Sequence, residues 1–235
     1  MIEVQPINNS HLRILTAPHI FEELYEYFSF DLQIWQRSKV SGKMIPKTVS
    51  KHLLNKRTQF LPAGLYKHLL AFGKDRNYQI KGAELTEENH TVEDTKSYLA
   101  GLQMWAKGKD ITPYEHQVDA ITKSLRYRRR TLLSSTSSGK SLIAYGITRF
   151  LVEKKNLRGL IIVPTVNLVN QMYADFKDYS SKNGWSTADN VHKIFSGQDK
   201  YTDKPIVIST WQSIYDLDDS DWYQQFDFIV GDEAH

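Results

Sequence analysis

A chain of 235 residues, 40% hydrophobic and 24% charged, has the length and apolar content for one large core or two small ones, which excludes a fibrous or wholly disordered protein. It has no cysteine and a formal net charge of only +3, so disulfide frameworks and thiolate metal sites are excluded, a reducing cytoplasmic compartment is expected, and net charge alone names no partner. The N-terminus lacks the basic-then-apolar order of a secretion signal, and no apolar run approaches a membrane span; a soluble protein is expected.

Residues 11–16 read as a first strand. Pro18 opens a helix that places Phe21, Leu24, Tyr25 and Phe28 on one face. Phe28, Phe30, Leu32 and Ile34 then alternate with Ser29, Asp31, Gln33 and Trp35, the period of a half-buried strand. Gly42 and Pro46 punctuate the next stretch. Residues 58–61 give another short strand, Pro62 starts a helix with Leu65, Leu69 and Phe72 inward, and 78–80 close a small α/β domain over residues 1–82. Trp35 and Tyr66 could stack on bases or fill a core, and their regular spacing favours the core. Between 32 and 74 there is no Asp or Glu, while Arg37, Lys39, Lys43, Lys47, Lys51, Lys56, Arg57, Lys67 and Lys74 supply nine cations. Acids return at Glu84, Glu87, Glu88, Glu93 and Asp94. This asymmetry suits a solvated basic face, and it suits a polyanion partner for the first domain.

Residues 83–110 are expected to form a linker and a helix. Thr91 with Asp94 can cap that helix, which runs towards Trp105, and Lys107-Gly108-Lys109-Asp110 is its exit. From 111 to 235 strands at 131–135, 159–164, 191–195, 205–210 and 226–232 alternate with helices at 140–154 and 166–180. Such alternation predicts a parallel sheet covered by helices, with ligands at the carboxyl ends of its strands.

The stretch 134–141 reads Ser-Ser-Thr-Ser-Ser-Gly-Lys-Ser, between an apolar run, Thr131-Leu132-Leu133, and a helix. Strand, small-residue loop ending in Gly-Lys-Ser, then helix is the arrangement of a phosphate-binding P-loop. Backbone N–H groups of Ser135, Thr136, Ser137, Ser138, Gly139 and Lys140 can face phosphates at a helix start, where the dipole favours anions. Lys140 adds a cation and the Ser141 hydroxyl can ligate Mg²⁺. Ser134 and Ser137 stand where such loops often carry glycine, and any position needing φ > 0 would cost serine more. Taken alone, the stretch also fits a serine-rich surface loop.

The chain finishes Phe226-Asp227-Phe228-Ile229-Val230-Gly231-Asp232-Glu233-Ala234-His235. An apolar strand delivering two carboxylates suits the second half of a nucleotide-hydrolysing site, with Asp232 on Mg²⁺ and Glu233 orienting and deprotonating water. It also suits a solvated acidic pair at a strand end. The eight histidines are scattered and suggest no metal cluster.

Asp-Glu-Ala-His after a P-loop resembles the signature pair of superfamily 2, DEAH-box-type DNA helicases and translocases. Further segments stand in the expected order. Residues 113–121, Pro-Tyr-Glu-His-Gln-Val-Asp-Ala-Ile, resemble the adenine-reading segment, with Gln117 on the base. Residues 163–171 resemble motif Ia, and 208–213, Ile-Ser-Thr-Trp-Gln-Ser, a strand-end segment that grips the nucleic-acid backbone. The resemblance covers about 111 to 235 and, with the basic first domain, is greatest to the recombination helicases of T-even phages.

It implies a RecA-like motor lobe over 111–235 and an ATP-dependent helicase acting on branched DNA in recombination and fork processing, with ATP and Mg²⁺. Lys140, Asp232 and Glu233 would be catalytic, Ser141 and Asp232 would hold the metal, and His235 would couple nucleotide state to DNA. Pro164, Thr165 and Thr210 would contact the DNA backbone; separately, the acid-free run of cations predicts backbone contacts without base readout by Arg37, Lys39, Lys43, Lys47, Lys51, Lys56 and Arg57 of the first domain. A monomer in the infected host cytoplasm is implied. A second lobe and its arginine lie outside these residues, so an N-terminal fragment of weak activity is expected. Two rivals remain: the translocase lobe of a restriction endonuclease, and a nucleotide-gated DNA-binding module without turnover.

Overall fold

The computed structural model describes residues 1–8, 10–37, 42–82, 88–127, 129–135, 138–215, 217 and 220–233, the last range without the side chains of 220 and 221. The chain divides into two compact units, Met1–Thr86 and Glu87–His235.

In the first unit the order is β1 (Ile2–Pro6), β2 (His11–Thr16), α1 (Pro18–Tyr27), β3 (Ser29–Arg37), β4 (Met44–His52), β5 (Phe60–Pro62), α2 (Tyr66–Asp75) and β6 (Ile80–Gly82). A four-stranded sheet runs β5-β2-β1-β6, with β1 antiparallel to β2 and parallel to β6. Strand β1 was not expected, although Ile2 and Val4 alternate with Glu3 and Gln5 and are fully buried. With Leu12, Ile14, Leu24, Leu61, Leu69 and Phe72 they form one core. Each such side chain contributes about 1.5–3 kcal/mol relative to exposure.

Among the described residues, strands β3 and β4 pair only with each other, from Ser29↔His52 to Arg37↔Met44. The alternating pattern was correct, but the half-buried expectation was not: Phe30 is 44% exposed and Ile34 43%. Trp35, read as a core aromatic, is 68% exposed, whereas Tyr66 is buried. A two-stranded ribbon gives its side chains no second layer to enter. Pro46 lies inside β4, opposite Trp35. Each strand of such a ribbon has one free edge, where a missing N–H costs no ladder bond.

The second unit runs α3 (Val92–Gly101), β7 (Trp105–Ala106), β8 (Lys109–Asp110), α4 (Glu115–Arg126), α5 (Lys140–Lys155), β9 (Gly159–Val163), α6 (Val166–Tyr179), α7 (Thr187–Asn190), β10 (Val191–Ile194), β11 (Ile206–Thr210), α8 (Trp211–Ile214), α9 (Ser220–Gln224) and β12 (Phe228–Gly231). Thr91 and Asp94 close a reciprocal capping box on α3. Leu99, Leu102 and Met104 enter the main core, so the helix expected within residues 83–110 packs as part of this unit. Residues 107 and 108 form the turn of the β7–β8 hairpin rather than a plain exit.

The sheet is parallel, in the order β10-β11-β9-β12. Strand β9 is apolar throughout because both its faces are covered. Ile161 and Val163 join the core with α4, α5 and α6, while Leu160 joins Val207, Ile214 and Trp222 on the other face. Helices therefore cover both faces, as expected of a RecA-like lobe. One expected strand does not form: residues 131–135 have no strand partner among the described residues, and Leu133 is 97% exposed. Two leucines between arginines and serines offer too little apolar surface to hold that segment at the sheet edge.

Candidate active site

The loop before α5 is fixed from below by α4. Gln117, 5% exposed, accepts a hydrogen bond from the Tyr114 N–H at 2.9 Å and donates through Nε2 to the Ser138 carbonyl at 2.9 Å. A His116 ring nitrogen also lies 3.1 Å from that carbonyl. Gly139 comes next with φ +80°, in the left-handed region, and caps α5. The serines close the loop on itself: Ser138 Oγ donates to the Ser135 carbonyl at 2.8 Å and also bonds Ser134 Oγ. Hydroxyls thus supply contacts that glycines in these places could not. Thr136 and Ser137 lie outside the described residues.

Lys140 and Ser141 begin α5, whose first N–H groups are the natural anion site of a helix. The Ser141 hydroxyl lies 3.0 Å from the Tyr179 hydroxyl, in the last turn of α6. Asp175, one turn earlier, is a second neighbour of Ser141. Burial pushes the Asp175 carboxyl above its usual range, partly offset by the Ser141 hydrogen bond, and burial raises Tyr179 too. Sequence reasoning missed both residues. Their signal was only that α6 must pack beside α5.

The parallel register puts three expected segments at one sheet edge. Val163 pairs with Thr210, and Ile162 with Gly231, so Pro164, Thr165, Thr210 and Asp232 all stand at or just beyond the carboxyl ends of neighbouring strands. Thr165 caps α6 by accepting from the Leu168 N–H at 3.3 Å. Thr210 is buried, its hydroxyl 2.7 Å from Ser213 Oγ, while Trp211 beside it is exposed. The Asp232 N–H donates to the Ile162 carbonyl at 2.9 Å. Glu233 has φ +52°, a strained backbone state for a residue with a side chain. His235 lies outside the described residues. The contacts of Ser141 are thus with α6, and those of Asp232 with β9.

Of the basic residues, Lys47 and Lys51 stand on β4 opposite Ile34 and Phe30. Arg37 Nε donates to the Gly42 carbonyl at 3.0 Å, and Lys56 pairs with Glu22 at 2.6 Å. Arg57 is exposed. Lys43 also stands in the first unit, just ahead of the ribbon's second strand, and Lys39 lies outside the described residues.

Residues 110–235 match the family described as type III restriction enzyme, res subunit. The chain is 32% identical over 238 residues to the ATP-dependent DNA helicase UvsW of Enterobacteria phage T4, covering 96% of this chain and 45% of that protein. It therefore spans about half the length of this relative. A crystal structure of T4 UvsW superposes with a TM-score of 0.84 at 31% identity, covering 99% of this chain and 47% of that one. A second, of the UvsW helicase from bacteriophage T4, gives 0.82 at 31% identity, covering all of this chain and 83% of that one.

Proposed function

We propose, on the premise that this chain belongs to the type III restriction enzyme res-subunit family and is a UvsW-like superfamily 2 helicase chain, that it works as an ATP-dependent DNA helicase or translocase on branched DNA. The observation that carries this reading is the braced loop. Gly139 holds a left-handed turn at the start of α5, and the Gln117 amide is bonded to the Ser138 carbonyl just ahead of it.

In this reading the Lys140 ammonium binds the outer phosphates, and the α5 N-terminus holds them by N–H groups and dipole. Glu233 orients the attacking water and takes its proton. Gln117 ties the base end of the nucleotide site to the phosphate end, since one amide already contacts both Tyr114 and Ser138. The donors available for a divalent ion, one hydroxyl and one carboxylate, are hard oxygens, and they suit Mg²⁺ shared with phosphates and water. Ser141 and Asp232 would hold it, and when bound it would neutralise charge on the phosphate oxygens. Thr165 and the segment after Thr210 lie along one edge, where N–H groups and hydroxyls suit a DNA backbone without base readout.

The match extends across nearly the whole chain, including residues ahead of 110, and this supports the helicase reading over a restriction-subunit motor. A monomer in the host cytoplasm agrees with the relationship to a phage protein, and among the described residues no helix is long and apolar enough to cross a membrane. ATP turnover of the full-length protein, with and without branched DNA, tests the reading. DNA should stimulate turnover, and Lys140→Ala and Glu233→Gln should each lower it by about 10²-fold or more. Turnover indifferent to DNA and to both changes would overturn it.

A further inference from the structure

The first unit contains a cavity of about 630 Å³ between the base of the β3–β4 ribbon and the turn that leads into β5. Its lining includes Lys51, Lys56, Arg57, His52, Tyr25 and Phe60 and, among the described residues, no carboxylate. Lys56 is paired with Glu22, so Lys51 and Arg57 are the two cations that concentrate positive potential in this concavity.

Local structure holds these groups in place. Asn55 Oδ1 accepts from the N–H groups of Arg57 and Thr58 at 2.9 and 3.0 Å, and the Asn55 N–H donates to the Phe60 carbonyl at 3.0 Å. That turn, anchored by buried Leu54, presents Arg57 at its tip. The His52 ring stacks on Tyr25 at 3.8 Å between centroids and 8° between planes, and one of its ring nitrogens lies 3.1 Å from the Tyr25 carbonyl. Lys56 lies 4.2 Å from the centre of the Tyr25 ring and is tied to Glu22. Lys51 and Arg57 have no ion-pair partner among the described residues, so their charge is available to a ligand.

We propose that this cavity seats a nucleic-acid strand. Lys51 and Arg57 hold one phosphodiester, and the His52 ring, backed by Tyr25, receives the neighbouring base. Cations beside a supported aromatic plane match the two repeating parts of a single strand, its phosphate and its base. The assignment rests on the reading of the chain as a nucleic-acid motor and adds to it a strand-binding site in the first unit.

The test is fluorescence anisotropy of a labelled single strand with the 235-residue chain in the absence of nucleotide. Lys51→Ala with Arg57→Ala should weaken binding about tenfold and lower the salt slope by about 0.7, the value for one phosphate of a single strand no longer neutralised. The charge-matched control Lys74→Ala with Lys81→Ala, on exposed residues outside the cavity, should change neither as much. His52→Ala should weaken binding about fivefold or more. Arg57→Lys should retain most of the affinity, which separates charge from misfolding. Equal losses in cavity and control variants would overturn the proposal, as would no binding by the unaltered chain. Inorganic phosphate that displaces the strand completely at constant ionic strength would mark a small-anion site and overturn the strand assignment. Cavity variants that bind normally, alongside ATP turnover that still depends on Lys140, would remove the cavity and leave the motor reading standing. Strand binding abolished in the cavity variants, alongside turnover indifferent to Lys140, would do the reverse.

Discussion

A Cβ on Gly139 would lie 2.2 Å from Nε2 of Gln117. Two constraints therefore meet at one residue, a left-handed backbone and a side chain packed against it. Gly139→Ala should cost about 1–2 kcal/mol from backbone strain alone, and displacing the Gln117 amide frees the Ser138 carbonyl. Nucleotide affinity should fall about tenfold, and the denaturation midpoint of the second unit should drop. Gln117→Ala combined with Gly139→Ala removes the collision and keeps the strain, so the pair should cost less than the sum of the singles. Strict additivity would show that the collision carries no energy.

The fold was readable in sequence wherever local chemistry decided it. Thr91 and Asp94 were expected to cap a helix and do so through both halves of a capping box. Residues 159–164 were expected as a short apolar strand, and 159–163 form one, because a run of apolar or small residues suits a strand covered on both sides. Features that depended on distant partners were not readable. Leu132 and Leu133 look like the start of a strand, yet neither joins the sheet. The Tyr179 hydroxyl meets Ser141 across 38 positions of chain. Trp35 carries an apolar ring in an alternating pattern, but burial is decided by whether a second layer exists, and the ribbon has none.

Asp232 stands just past the end of β12, with its N–H donated to Ile162 and its carboxylate free of any described ion pair. If that carboxylate helps to hold Mg²⁺, Asp232→Asn should raise the Mg²⁺ concentration needed for half-maximal nucleotide binding by about tenfold. The fold should be unchanged. Chelation of Mg²⁺ should weaken nucleotide binding in the unaltered chain and have less effect in the variant. Equal Mg²⁺ dependence in the two proteins would remove Asp232 from the metal site.

His90 gives the second unit a pH dependence with a definite sign. Burial holds its pKa below the ordinary 6.5, against the attraction of Asp94 and Glu88 and with some help from Lys155. Its ring lies 2.9 Å from Thr95 Oγ1 and edge-on to Phe150 at 4.8 Å. The unfolded chain therefore takes up this proton first as pH falls through 6.5, and stability is lost on the acid side. One proton can change stability by at most about 1.4 kcal/mol per pH unit, and solvent screening reduces that here. Asp94 is held below 3.8 by its hydrogen bonds to Thr91, so its contribution is lost in a separate, lower window. Thermal melts at about pH 7.5 and 5.5, either side of the ordinary histidine value, should show a smaller acid loss for His90→Gln than for the unaltered chain. Parallel losses would assign the acid sensitivity to other groups.

Where the Tyr179 hydroxyl donates to Ser141, it occupies a lone pair of the oxygen that a metal would take, and the two then compete. The two oxygens are 3.0 Å apart, and Asp175 stands beside them as a further acceptor. A hydrogen bond of this kind contributes about 0.5–1.5 kcal/mol net. Tyr179→Phe keeps the ring against Tyr145, which it meets at 5.3 Å between centroids, and removes only the competing hydroxyl. If Ser141 ligates the metal, the variant should bind Mg²⁺-nucleotide about two- to tenfold more tightly, while its stability falls by about the energy of that bond. Ser141→Ala should weaken Mg²⁺-dependent nucleotide binding and abolish the gain from Tyr179→Phe, because no hydroxyl remains to be released. A gain that persists in the double variant would place the effect of Tyr179 on the packing of α5, not on the ligand it holds.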